Sequence, residues 1–317
     1  MTLAGSSGAV PRFDFHSNFW VNLHQVLLHE ALLRAGKADR RLQSSALLSA
    51  RNMDKRDEAD WSATVNAYAA HFGTRQQVFD DELIQVNDSL ATQRDDGASL
   101  QPMNLPPDVV AALRSAAPVY RKYWWTAHDQ SNKNWIASQA EREREIGGKL
   151  AAAMTRDLRQ GWPAEPIRVD VGYYVSAVGH AFTTLPPHTT FSSSDSSNQG
   201  LSGFEVLFHE ASHTFADTLR NALAAQCRVE RNDCGDPQSG LAPLWHAVLF
   251  YTSGVELRRL LPPTEQANFT PYAYAQGVYT RGNWPKYRAA LEKDWRAYLD
   301  GKISFGAAVH DLTADAQ

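Results

Sequence analysis

The sequence predicts an α+β protein that is mainly α-helical, and three observations predict it. Apolar residues recur at helical spacing through most of the chain up to Leu158. A β-branched and aromatic stretch follows the Gly161-Trp162-Pro163 break, with shorter Thr-rich runs on either side of Pro186-Pro187. A strongly amphipathic segment, Phe204 to Ala225, then returns the chain to helix, so a small sheet stands in sequence next to that helix.

Taken in order, Phe19 to Leu33 carries apolar residues at helical spacing behind Ser17 or Asn18, either of which can cap it. Trp61 to Phe72 and Gln76 to Leu90 repeat the pattern. Pro106-Pro107 interrupts it, and Asp108 opens a helix through Ala116. Tyr120 to Leu158 reads as one long helical tract whose run EREREIGGK is a solvated face with neighbouring ion pairs. Ile167 to Val178 predicts a strand, and Thr183-Thr184 and Thr189 to Ser192 predict two short ones. From Pro243 onward the pattern is again helical.

Composition limits the function classes. A chain of 317 residues can bury a sizeable core as one large domain or two ordinary ones, and its 43% hydrophobic and 21% charged residues are those of a soluble globular protein. A net charge of −4 without any long Lys/Arg run argues against nucleic-acid binding. No apolar run approaches the roughly 20 residues of a membrane span. Met1 to Val10 has neither a basic nor an apolar signal region. Cys227 and Cys234 are close enough in sequence to close a small loop. A disulfide there suits a periplasmic or secreted protein whose signal has been removed, and free thiols suit the cytoplasm.

The segment FEVLFHEASHTFADTLRNAL carries the chemistry. His209-Glu210-Ala211-Ser212-His213 matches H-E-x-x-H. Residues four apart lie one turn above each other on a helix, so His209 and His213 can turn nitrogens toward one Zn²⁺. Glu210 is rotated roughly 100° from His209 and can flank the metal as general base instead of ligating it. The bland alternative is a helix with surface histidines paired to Glu205 and Asp217.

A strand-bearing segment followed by this motif resembles the zincin metallopeptidases, the likeness resting on the five-residue motif within the second half of the chain. The metzincin pattern H-E-x-x-H-x-x-G-x-x-H fails, because Ala216 stands at the glycine and Leu219 at the third histidine. What remains resembles the gluzincins, whose third ligand, normally glutamate, comes from a later helix. The resemblance implies a zincin-like fold, a Zn²⁺ cofactor and a peptide or protein substrate. The expected division is a flexible N-terminus over 1–14, a helical subdomain over 15–160 and a zincin-like metal-binding subdomain over 161–317.

The predicted helix Pro243 to Leu260 offers two third ligands. His246 shares a face with Leu249, Phe250, Ser253 and Leu257 and points inward, whereas Glu256 has Arg259 at i+3 as a ready ion-pair partner. Glu230 and Asp217 are further options, and Asp217 can alternatively orient a ligand imidazole or pair with Arg220. Zincin hydrolysis also needs an oxyanion donor, for which Tyr279 and Arg281 in the loop PYAYAQGVYTRGNW are the candidates, with Tyr272 and Tyr274 beside them. The Thr/Ser-rich strand before the metal helix offers an extended peptide a place to pair. His16, His24, His29 and His128 read as ordinary capping or core histidines, although His128 could line a cleft. His180 and His188 flank the Pro-Pro turn.

The expected function is a zinc-dependent hydrolase, a metallopeptidase in which Glu210 activates water. The alternatives are a metal-dependent amidase or esterase on a non-peptide substrate and a non-catalytic zinc-binding protein.

Overall fold

The computed structural model describes residues 10–37, 53–176, 181–184, 187–230, 241–282 and 284–316. Helices dominate it, and the described strands form one four-stranded mixed sheet, so the α+β, mainly helical class holds. Two compact units emerge. One comprises Phe13–Ala140 with Ile167–Gln199, and the other Met1–Arg12, Glu141–Pro166 and Gly200–Gln317. These units cross the boundary expected at 160/161, and the reason is strand pairing. Strand β1 (Phe13–His16) lies parallel to β2 (Ile167–Gly172), with Phe13 opposite Ile167, which ties the start of the chain to its middle. Phe13 and Asp14 are therefore strand residues and not part of a flexible N-terminus.

In the sheet-bearing unit the strand order is β1-β2-β4-β3, where β3 is Ala181–Thr184 and β4 is His188–Ser192. β4 pairs with β2 on one side and β3 on the other, so it has no free edge for an added peptide strand. That overturns the expected role of this strand in substrate pairing.

Helix α1 (Phe19–Arg34) starts on Asn18, whose side chain accepts the Trp20 and Val21 N–H groups as an N-cap. It is buried on nearly every face, polar residues included. Asn22 shows how those polar groups are satisfied. Its Nδ2 donates to the carbonyls of Asn18 and Val171, and its Oδ1 accepts Tyr173 N–H and Asn132 Nδ2. Gln25 Oε1 accepts Ser176 N–H in the same way. Side chains of α1 thus take the backbone groups beyond Gly172, which is why β2 stops there and does not run on through Ser176; the end of the expected strand, 177–178, lies outside the described residues. α2 (Lys55–Phe72) and α3 (Asp81–Ala91) begin on Asp54 and Asp80, each capping through its carboxylate. The second boundary lies later than Gln76 because Asp80 is the residue able to cap.

His24 and His128 are core residues, as expected: His24 meets Tyr68, and His128 stacks on Tyr173 at 4.0 Å and bonds the Tyr120 hydroxyl. His16 bridges Asp14 and Asp95. His188 bonds Asp88 through Nδ1 and Asp170 through Nε2, and Arg168 grips the same Asp170 carboxylate. His180 lies outside the described residues.

The helical tract from α4 (Pro107–Tyr120) through α5 (Thr126–Arg142) to α6 (Gly148–Leu158) is joined by two π-helical turns, Arg121–Trp125 and Glu143–Gly147. The other unit begins within this tract. There α7 (Gly200–Ser212) ends in a 3₁₀ turn, His213–Phe215, and α8 (Asp217–Glu230) starts afresh. The single helix expected over Phe204 to Ala225 is therefore two. Ser212 and Thr214 hydroxyls donate to the carbonyls of His209 and Ala211, competing with the helical ladder. Gln160 Oε1 accepts Thr218 N–H and satisfies the new helix start. α9 (Leu244–Leu260) packs against both α6 and α7. Among the described residues no helix is long and apolar enough to cross a membrane.

Candidate metal centre

The last turn of α7 and the first turn of α9 bring three imidazoles together. His209 Nε2 lies 3.3 Å from His213 Nε2 and 3.1 Å from His246 Nε2, and the three ligand atoms all lie within 4.8 Å of one another. Nitrogens about 2.0–2.1 Å from one tetrahedral ion stand roughly 3.3–3.4 Å apart, so two edges of this triangle already fit. His209, His213 and His246 are positioned to hold a metal ion. His213 reaches the cluster although it opens the 3₁₀ turn, because one turn of helix still separates it from His209.

The surroundings keep the imidazoles neutral, the state in which a nitrogen lone pair is available. Burial holds His209 and His213 well below the ordinary imidazole value, with the neighbouring imidazoles adding to the effect. Burial and then the Arg220 charge lower His246 to about 4. Aromatic rings fix the geometry. Phe250 lies flat against His209 at 3.4 Å and 13°, Trp245 borders both His213 and His246 at 5.4 Å, and Trp284 meets His246 at 5.8 Å. His209 Nδ1 is buried without a hydrogen-bond partner, so stacking on Phe250 holds its ring.

Glu210 follows His209 on α7 and is only 8% exposed. One turn before His209, Glu205 is fully buried; its Oε2 accepts Tyr272 N–H at 2.7 Å and its Oε1 has no partner. Burial, little offset by that N–H, pushes its carboxyl up to about 8. Glu205 is therefore a buried acid held against α9, not a surface partner for the motif histidines.

Glu256 is not with the imidazoles. It sits ten residues after His246 on α9, about 15 Å along the axis, where it pairs with Arg259 and Arg156. That ion pair is the one its i+3 spacing predicts. The Glu230 side chain lies outside the described part of the chain, and Asp217 is exposed in the first turn of α8, where a carboxylate suits the helix dipole. Tyr279 is buried with its hydroxyl directed at the Ala247 carbonyl, 3.4 Å away, and Arg281 is exposed and donates to the Gln276 carbonyl. Neither makes a recorded contact with the three imidazoles.

Two contributors escaped sequence reasoning. Trp245, beside His246, walls the cluster, and the Arg220 guanidinium lies over its ring with Cζ 3.7 Å from the centroid. Arg220 had a signal, since seven residues after His213 is the same helical face. Cys227 is in a disulfide; the one other cysteine of the sequence, Cys234, lies outside the described residues. No family model matches the chain, and no curated protein or solved structure matches it.

Proposed function

We propose that the chain is a zinc-dependent hydrolase that cleaves peptide bonds, with His209, His213 and His246 as ligands and Glu210 as general base. The convergence of the three imidazoles, with two Nε2 pairs 3.1 and 3.3 Å apart and all three ligand atoms within 4.8 Å, carries this reading. Three imidazoles favour zinc over the oxygen-seeking magnesium or calcium, and three protein ligands leave a fourth position open, as catalytic sites do. Zinc bound there would polarise a substrate carbonyl and make water acidic enough to ionise near neutral pH.

The chain's own groups then have defined tasks. Glu210 takes a proton from water as the water oxygen bonds to the carbonyl carbon. It returns that proton to the amide nitrogen as the carbon–nitrogen bond breaks. Trp245, Phe250 and Trp284 supply apolar walls that exclude bulk water. The ligand set is three histidines, which departs from the gluzincin glutamate, so the zincin likeness rests on the motif. The Cys227 disulfide supports an oxidising compartment, periplasmic or secreted.

Glu210→Gln tests the reading. Zinc content should stay near one per chain while hydrolysis of a mixed peptide library falls by at least about a hundredfold. Near wild-type turnover in this variant would remove Glu210 from the chemistry. Cleavage of small amides or esters with no cleavage of peptides would transfer the mechanism to a non-peptide substrate.

A further inference from the structure

We infer that Arg220 is a specificity-determining residue that binds a carboxylate of the substrate beside the metal centre; this rests on the metal-hydrolase reading. The Arg220 guanidinium sits over Trp245, with Cζ 3.7 Å from the ring centroid, and the same ring stands 5.4 Å from both His213 and His246. A planar cation is thus held at the border of two of the three candidate ligands.

One of its donors is unused within the described protein. The side chain is partly buried, its Nε is buried with no hydrogen-bond partner, and among the described residues Arg220 forms no ion pair. Asp217, three residues before it, is exposed and favours the charge only from a distance. Two arginines of the same unit are by contrast paired with carboxylates: Arg259 engages Glu256 and Asp300, and Arg156 engages Asp157 and Glu256. A buried donor left without a partner is unfavourable, the more so on a charged group. The unfavourable balance grows when a metal cation is bound nearby, because like charges are then brought together. An anion satisfies both, and a planar fork of N–H donors matches a carboxylate. The cation–π contact with Trp245 restrains the guanidinium in advance.

A substrate carboxylate can come from a free C-terminus or from an Asp or Glu side chain, and two peptide comparisons separate them. Amidating the C-terminus should abolish the advantage if the terminus is bound, whereas an Asp→Asn peptide should abolish it if a side chain is bound.

The direct test uses Co²⁺-loaded protein, whose visible absorption reports on the site without turnover. Benzoate titrated into wild-type protein should shift the spectrum, with benzamide as the neutral control. In Arg220→Gln the cobalt spectrum should persist while the benzoate dissociation constant rises at least about tenfold. Arg220→Lys, which keeps the charge and loses the fork, should fall between, and serves alone if the glutamine variant does not fold. Equal benzoate affinity in wild-type and variant proteins that both bind cobalt overturns the role of Arg220 and leaves the metal reading intact. Absence of cobalt binding in the wild-type overturns the metal reading and this inference with it.

Discussion

His246 Nε2 stands 3.1 Å from His209 Nε2, bridging α9 and α7 at the point where the metal-binding turn ends. The third ligand of the proposed metal site is therefore an imidazole on the next long helix, and Glu256 on that helix is paired elsewhere. His246→Ala should lower zinc affinity by at least about a hundredfold, because it removes one of three donors. Glu256→Gln should leave zinc content unchanged and reduce stability by roughly 1–2 kcal/mol through its lost pairing with Arg259 and Arg156. Metal analysis and urea unfolding of the two variants check both outcomes. The reverse pattern would make Glu256 the ligand.

Gly254 on α9 makes room for the buried acid. A Cβ there would stand 2.8 Å from Glu205 Oε1 and 2.6 Å from Pro271 Cβ. Gly254→Ala should destabilise the protein by roughly 1–3 kcal/mol despite the better helix propensity of alanine, since the clash outweighs it. Thermal unfolding that rises instead would mean that the neighbours yield freely. Pairing the change with Glu205→Ala, which clears one of the two obstructing atoms, should recover part of the loss.

Stability should fall as pH rises from weakly acidic values to about 9. Burial alone would lower His188, but hydrogen bonds to Asp170 and Asp88, with their charges, outweigh it and push the imidazole from 6.5 up to about 9. Between these values the folded chain keeps a proton that the unfolded chain has lost, so stability is full below 6.5 and declines as pH rises through 9. The decline from this group amounts to roughly 3 kcal/mol at most. Glu205, pushed up to about 8, adds a loss of the same sign that begins at its ordinary value of 4.5. Melting of the metal-free protein across this range should show the fall, and His188→Gln should make it shallower above pH 6.5, leaving the Glu205 share that ends near 8.

Much of this was legible in residue order, and the rest depended on partners distant in sequence. The cap at Asn18, the helix opening after the Pro106-Pro107 break (at Pro107, one residue before the expected Asp108) and the strands flanking Pro186-Pro187 are local signals, and they hold. The break after Ser212 does not follow from apolar periodicity, because it depends on hydroxyl back-bonding and on Gln160, more than fifty residues upstream. β1 was hidden because four residues with one exposed carboxylate carry little pattern, and its pairing partner lies at Ile167. At the site, the inward face of His246 was readable from its apolar neighbours on the same helix. Tyr279 and Arg281 were chosen for chemistry alone, and their loop directs them to backbone carbonyls instead. Arg220 was read only as a partner for Asp217, because its place over Trp245 depends on a residue contributed by a different helix.

The most direct test of the central claim is X-ray absorption at the zinc edge of protein purified without added metal chelators. The account predicts a four-coordinate zinc with three imidazole nitrogens and one further light-atom ligand at about 2.0–2.1 Å. Loss of one imidazole contribution should accompany His246→Ala. Protein that takes up no zinc, or a shell with fewer than three imidazoles in the wild-type chain, would contradict it.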